Sequence, residues 1–221
     1  MISSKANILL IDSATSVLRV GISSDGETVS FLENADRYKH AEFIFSLLEQ
    51  VLEKNGVARG DISAIIIATG PGSFTGLRVG MASAKGLAVS LDIPLIGVSL
   101  YQAIAPRLYA EKGRTVVVIP SRRDEYYAGV VDGKSFDDEG IAVCNTSEIH
   151  DNYRDCQLFG IGCELSAEDF PGCSIIMGEE FSIRLEDFLQ AGLQRLRNVG
   201  EDDLSRLEPL YIQQFRAGKK L

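Results

Sequence analysis

No apolar run in this chain of 221 residues reaches the roughly 18 residues of a membrane-spanning helix, so no span is expected. Residues 1–7 lack the apolar core of a secretory leader, which makes the cytoplasm the expected compartment. The four cysteines, Cys144, Cys156, Cys163 and Cys173, form no C-x-x-C pair, and the two histidines, His40 and His150, lie far apart. That spacing argues against zinc ligation and against a disulfide framework; plain thiols, no metal and no cofactor are expected. Neither H-E-x-x-H nor G-x-S-x-G occurs, which removes the helix-borne zinc peptidase and the nucleophile elbow. Basic residues are in deficit, 22 against 31 acidic, for a net charge of -9. Phosphate contacts supply most of the affinity for nucleic acid, so an acidic chain is a poor stand-alone binder of it. The one basic cluster, Arg216, Lys219 and Lys220, reads as a solvated terminus.

What is present is the composition of an ordinary globular protein, 45% hydrophobic and 24% charged. The length suffices for one large domain or two small lobes. The most informative stretch is GPGSFTGLRVGMASAKGLAV at 70–89. It follows a buried-strand pattern at 65–69 and opens a helix dotted with Gly76, Gly80, Ser83, Ala84 and Gly86. A Gly-rich turn between strand and helix can present backbone N–H groups to an anion. No Lys-Ser/Thr follows the last glycine, however, and the turn misses G-x-G-x-x-G by one residue, so the phosphate reading is weak. Gly76, Gly80 and Ala84 recur at four-residue steps along one helix face, where they allow close packing within the fold or against a partner.

Around this stretch the pattern predicts strands at 8–11, 17–23 and 27–32, with Asp25-Gly26 as a hairpin turn. A helix follows over about 38–55, with Ala41, Ile44, Phe45, Leu48, Val51 and Leu52 on its apolar face and Gly56 as its stop. The second helix runs to about Leu91, a strand covers 94–98, and Ser99 with Gln102 forms a capping box that opens a helix to about Tyr109. Residues 116–121 then repeat the pattern of 8–13. Gly129 stands ten positions after Ile119, as Gly21 does after Ile11, and Asp132-Gly133 repeats Asp25-Gly26 with a slip of one. The repeat divides the chain into related lobes at 1–110 and 111–221, with a cleft between them. The second lobe is broken and polar from 141 to 171, with short strands at 157–161 and 174–177. A helix is expected from about 179 to 197, with Phe181, Leu185, Phe188, Leu189, Leu193 and Leu196 as its apolar positions.

Duplicated lobes that each open with a hairpin resemble the actin-like ATPase, ribonuclease H-like α/β fold. In that fold the two first turns face each other across nucleotide phosphates. The first turn here carries Asp12-Ser13-Ala14-Thr15; the second, Pro120-Ser121-Arg122-Arg123, has no Asp at the matching position. Asp12, Thr15, Gly70, Gly72 and Ser73 therefore form a candidate vestigial phosphate loop, with an Asx turn at Asp12 as the plainer alternative.

GPGSFTGLR at 70–78, AKGLA at 84–88, the strand 93–99, LIDSAT at 10–15 and Pro-Leu-Tyr-Ile at 209–212 together resemble the bacterial TsaB family, also called YeaZ. The likeness is close over 8–105 and looser beyond. It implies a non-catalytic scaffold in the machinery that adds a threonylcarbamoyl group to the adenosine beside the anticodon in tRNA. The implied partners are a TsaD-like catalytic subunit, which the scaffold binds and activates, and a TsaE-like ATPase. The resemblance further implies a homodimer when alone, and tRNA met only through the complex. The interface it implies lies on helices 38–55 and 75–91, at His40, Phe43, Leu47, Gly76, Arg78, Gly80, Met81 and Ala84.

TsaD enzymes carry a His-x-x-x-His metal pair at positions that fall here on Leu100 and Ile104, which have no lone pair to offer. Many TsaB relatives have an Asp where Pro120 stands; Arg122, Arg123 and Glu125 keep the rest of that turn. The rival readings are an actin-like kinase or ATPase using Asp12, Thr15 and 70–73, and a metal-dependent hydrolase. For Arg78 a surface charge and a salt link to a partner are both open, and His40 is expected at the surface or as a cap. One of Tyr126 and Tyr127 should be core, because neighbours on a strand face opposite sides. The run Glu201-Asp202-Asp203 reads as a solvated linker.

Overall fold

The computed structural model describes residues 6–212 apart from 28, 37, 38, 123, 134, 155 and 177–181, with the side chain of residue 111 also outside the description. Alternating apolar segments pair into a first sheet from β1 (Asn7–Asp12), β2 (Leu18–Ser23), β3 (Ser30–Asn34), β4 (Ile62–Gly70) and β5 (Leu95–Ser99). Its order is β3-β2-β1-β4-β5. β1 to β3 form an antiparallel meander, and β4 and β5 join in parallel through helical crossovers. The third strand starts later than the sequence predicts. Asp25 holds the turn open by accepting from Glu27 N at 2.9 Å, while Ser23 Oγ accepts from Gly26 N at 3.1 Å.

The second sheet repeats this plan with β6 (Thr115–Arg122), β7 (Glu125–Val131), β8 (Ala142–Asn145), β9 (Gln157–Gly160) and β10 (Ser174–Ile175), in the order β10-β9-β6-β7-β8. The two hairpins differ by one in register: Gly21 pairs with Leu10, whereas Gly129 pairs with Val117, the counterpart of Leu9.

Five layers result. α1 (His40–Lys54) and α2 (Phe74–Leu91) cover the outer face of the first sheet around Leu9, Ile11, Ile65 and Ile67. α3 (Leu100–Lys112) and α5 (Leu185–Asn198) lie between the two sheets. α3 buries Leu100, Tyr101, Ala103, Ile104, Ala105 and Leu108, an apolar surface that wraps most of the helix because both sides face a sheet. The short α4 (Thr146–Asn152) and the segment around Phe170 close the far face of the second sheet.

The predicted capping box at Ser99 and Gln102 is present, with Ser99 Oγ accepting from Gln102 N at 3.1 Å and Gln102 Oε1 accepting from Ser99 N at 3.3 Å. The last helix begins at Leu185, because Asp187 ties back to Arg184 N at 2.9 Å; Phe181 lies outside the described residues. Tyr126 and Tyr127 are both half-buried. Tyr126 packs edge-on to Phe170 and Tyr127 packs against the inter-sheet core, so neither is a fully buried residue.

From α5 onward the chain does not stay with the second lobe. α5 packs on the first sheet, where a Cβ at Gly192 would come within 2.5 Å of Ile66. Asp202, expected to be solvated, instead accepts from Gly97 N at 2.8 Å and pairs with Arg195 Nη2 at 2.6 Å. Its own N–H donates to Leu95 O at 3.1 Å, and Leu210 N donates to Thr69 O at 2.8 Å. The segment 202–212 is therefore a strap across the ends of β4 and β5.

Candidate functional site

Two places hold the residues singled out in the sequence. The first is the junction of the 12–16 turn with the 70–76 turn. Asp12 is fully buried; its carboxylate accepts from Ala14 N at 3.0 Å and pairs with Arg19 Nη1 at 3.3 Å. Burial pushes this carboxyl above its ordinary range, against the opposing pull of the Ala14 N–H and the Arg19 guanidinium. The arrangement is the Asx turn. Ser73 N donates to Ala14 O at 2.7 Å, and Ser73 Oγ caps α2 by accepting from Gly76 N at 3.3 Å.

The fit between the two turns is backbone on backbone. A Cβ at Gly72 would overlap the Ala14 carbonyl, and one at Gly76 would overlap the Ser13 carbonyl. Gly70 ends β4 at φ 104°, a conformation that L side chains rarely adopt. The turns are thus zipped to each other, with the Ala14, Ser73 and Gly76 N–H groups spent internally. The opposing hairpin is tighter still: β6 runs to Arg122 and β7 restarts at Glu125, with Asp124 at φ 59°.

Beside this junction a cleft of about 580 Å³ opens between the lobes. Thr15, Ser16, Val17 and Arg19 line it from the first lobe and 159–165 from the second, with Ile175, Ile176, Ser182 and Ile183 at its rim. Of the candidate phosphate-loop residues only Thr15 reaches it, and Thr15 Oγ1 is engaged locally with Val17. Among the described residues no group of three or more His, Cys, Asp or Glu could hold a metal ion. Leu100 and Ile104 are both fully buried in the inter-sheet core.

The second place is the pair α1 and α2. Most of the residues that the resemblance put on the partner-facing surface point inward. Gly76, Gly80, Met81 and Ala84 form the inner stripe of α2, and a Cβ at Gly80 would overlap Ser13 Oγ. Ser13 Oγ is itself buried with no hydrogen-bond partner among the described residues. Leu47 is core, and Phe43 is half-buried against it. His40, expected at the surface or as a cap, is the first residue of α1 after its N-cap Lys39 and is buried beside the turns, with Nε2 3.5 Å from Ser16 O. These positions build the lobe; of the eight, Arg78 alone is fully surface-exposed.

The exposed stripe of α2 is one step round the helix: Phe74, Arg78, Ala82, Gly86 and Val89. Phe45 on α1 is 50% exposed, Phe74 53% and Val89 68%. A Cβ at Gly86 would meet nothing within 4 Å, so the surface is shallow there. The Arg78 guanidinium lies 3.8 Å from the centroid of the Phe74 ring and donates through Nε to Tyr211 Oη at 3.0 Å. Tyr211 in turn packs on Phe74 with ring centroids 5.5 Å apart. Among the described residues no carboxylate pairs with Arg78. The sequence held no signal for this cluster, because Tyr211 comes from the strap, 133 positions away.

The two like sheets, the hairpin at the head of each and the helices between them define a protein of the actin-like, ribonuclease H-like fold. YeaZ of Pseudomonas aeruginosa superposes on it with a TM-score of 0.73, covering 94% of this chain and 100% of that one at 23% identity. Residues 33–153 match the family model described as TsaD, tRNA N6-adenosine threonylcarbamoyltransferase. A protein of Haemophilus influenzae named tRNA threonylcarbamoyladenosine biosynthesis protein TsaB is 32% identical over 97% of this chain and 96% of its own length. The protein of that name in Escherichia coli is 28% identical over 97% of both chains. The chain belongs to the TsaB (YeaZ) family.

Proposed function

We propose that this protein is an accessory subunit of tRNA threonylcarbamoyladenosine synthesis that docks the catalytic TsaD-like subunit through the outer faces of α1 and α2. The observation that carries the reading is the exposed Phe45, Phe74 and Val89 beside an Arg78 held over the Phe74 ring and by a hydrogen bond to Tyr211 Oη. Aromatic and Arg side chains in a patch with a shallow, small-residue centre have the chemistry of binding hot spots. Apolar area of this kind contributes about 25 cal/mol per Å² when it is covered. Arg78, already positioned, loses little side-chain freedom on donating to a partner carboxylate.

The subunit has no catalysis of its own in this reading. What supports this is the close packing of Gly72 and Gly76 on the Ala14 and Ser13 carbonyls, and the lack of a lone pair on Leu100 and Ile104, the positions that the resemblance matches to the TsaD metal pair. The same helices serve a homodimer when the partner is absent. A TsaE-like ATPase and the tRNA join through the assembly, in the cytoplasm. No described helix is long and apolar enough to cross a membrane.

A nucleotide-dependent activity is the second reading, favoured by the inter-lobe cleft and the Thr15, Ser16 and Arg19 side chains on its wall. Reconstituted threonylcarbamoyl transfer to tRNA separates the two. Product that requires both this chain and its partners supports the accessory role. Product formed equally well without this chain removes that role, and ATP turnover by the isolated chain would favour the second reading.

A further inference from the structure

Cys156 and Cys173 are separated by a polar, broken stretch of sequence, yet they stand at the same end of two neighbouring strands. β9 and β10 are parallel, with Ser174 opposite Gln157 and Ile175 opposite Leu158. Each cysteine immediately precedes the first of these pairs. Parallel neighbours lie about 4.8 Å apart, inside the Cα separation of about 4.4–6.8 Å that a disulfide bridges. Side chains alternate along a strand, so Cys156 shares a face with Leu158 and Cys173 with Ile175. All four belong to one apolar cluster, which confirms the shared face.

Three hydrogen bonds hold the ends together. Ser174 N donates to Cys156 O at 3.0 Å. The Tyr153 carbonyl accepts both from Cys156 N, at 3.3 Å, and from Cys173 Sγ, at 3.5 Å. The other two thiols differ. Cys144 is buried, and burial pushes the Cys163 thiol up to about 11. Cys156 and Cys173 are half-buried, within reach of a small oxidant.

We propose that Cys156 and Cys173 form a reversible dithiol–disulfide site, closed by a peroxide. One thiolate attacks a peroxide oxygen, giving a sulfenic acid as hydroxide leaves. The second thiolate attacks that sulfur, the S–S bond forms, and a second hydroxide departs. Two thiols and one hydrogen peroxide thus give one disulfide and two waters. Closure pins β10 to β9. Ile175 and the next residue, Ile176, line the inter-lobe cleft, so the oxidised form has a fixed cleft wall where the reduced form has a two-residue edge strand.

The test is mild hydrogen peroxide on the full-length reduced protein, then alkylation under denaturing conditions and peptide mapping. The expected product is a single intramolecular 156–173 disulfide that dithiothreitol reverses, with Cys144 and Cys163 still alkylated. Amide exchange at Ile175 and Ile176 should slow in the oxidised protein. Cys156→Ser and Cys173→Ser should each abolish the link, and Cys163→Ser should leave it. A bond to Cys144 or Cys163 overturns the proposal. So does oxidation of Cys156 and Cys173 to separate sulfinic acids without a link. The mapping uses the wild-type chain, so it does not depend on any variant folding.

Discussion

The two lobes share one strand order and differ in almost everything attached to it. In the first, β4 has 9 residues and α2 has 18, and the sheet is covered on both faces by helices of 13 residues or more. In the second, β9 and β10 have 4 and 2 residues, and the outer face is closed by a 7-residue helix and irregular chain. The hairpins at the head of each sheet diverge in the same sense. The first turn is long and locked by Asp12 and by the 70–76 turn; the second is short, with β6 running to Arg122 and β7 starting at Glu125. The first lobe has kept its long helices, and the second has been cut back. α5 and the strap return from the second half to brace the first.

The comparison breaks most sharply at the layer the lobes share. Arg107 on α3 grips Asp187 on α5 with two bonds of 2.8 Å, and both side chains are largely buried. Asp187→Ala strands the guanidinium and should cost about 3 kcal/mol or more in urea unfolding. An unfolding midpoint equal to wild type would show that the pair does not hold the layers together.

The next test sets one lobe against the other at glycine. Gly72→Ala drives a Cβ into the Ala14 carbonyl and should destabilise by about 1–3 kcal/mol. Gly133→Ala meets nothing within 4 Å and should stay within about 0.5 kcal/mol of wild type. Equal effects in thermal melts would mean that the first turn is not zipped as described.

Function should follow the exposed stripe and spare the fold. Arg78→Ala, on a solvent-facing position, should leave the melting temperature unchanged and weaken the TsaD-like partner by about tenfold to thirtyfold in calorimetric titration. Tyr211→Phe removes only the hydrogen bond to Arg78 and should cost less.

The smallest effect concerns the inter-lobe contact of Asp138, which accepts from Ser99 Oγ at 2.5 Å and Gln102 Nε2 at 2.9 Å. Burial raises this carboxyl above its ordinary range, against the Ser99 hydrogen bond. A raised native pKa means that the folded state binds the proton more tightly than the unfolded one. Its contribution is therefore fully present below the ordinary carboxylate value and is lost as pH rises through the raised one. Asp138→Asn should flatten that part of the stability–pH curve; an unchanged slope would assign it elsewhere.

Much of this was readable in the sequence where local signals and burial agree. The Ser99–Gln102 box and the Gly21 and Gly129 repeat follow from spacing alone; of the predicted apolar face of α1, Ile44, Leu48, Val51 and Leu52 are buried, whereas Ala41 and Phe45 are exposed and Leu47 is core instead. The same capping signature at Asn145 and Glu148 carries little weight in the sequence, because a 7-residue helix that buries only Ile149 has no periodicity to support it. The inner and outer stripes of α2 were exchanged for a related reason. Small residues mark close packing, and only the fold says that the close neighbour is Ser13. Asp202 and Tyr211 were illegible, since their partners Gly97 and Arg78 lie more than a hundred positions away.

The most direct test of the central claim is a binding titration of the TsaD-like subunit against wild type and a Phe45→Glu, Val89→Glu double variant. Both positions face solvent in the free chain, so the variant should fold with an unchanged melt. The account predicts a tight complex for wild type and a loss of about a hundredfold or more for the variant. An affinity that the two charges leave unchanged would contradict it, because the partner would then be using another face.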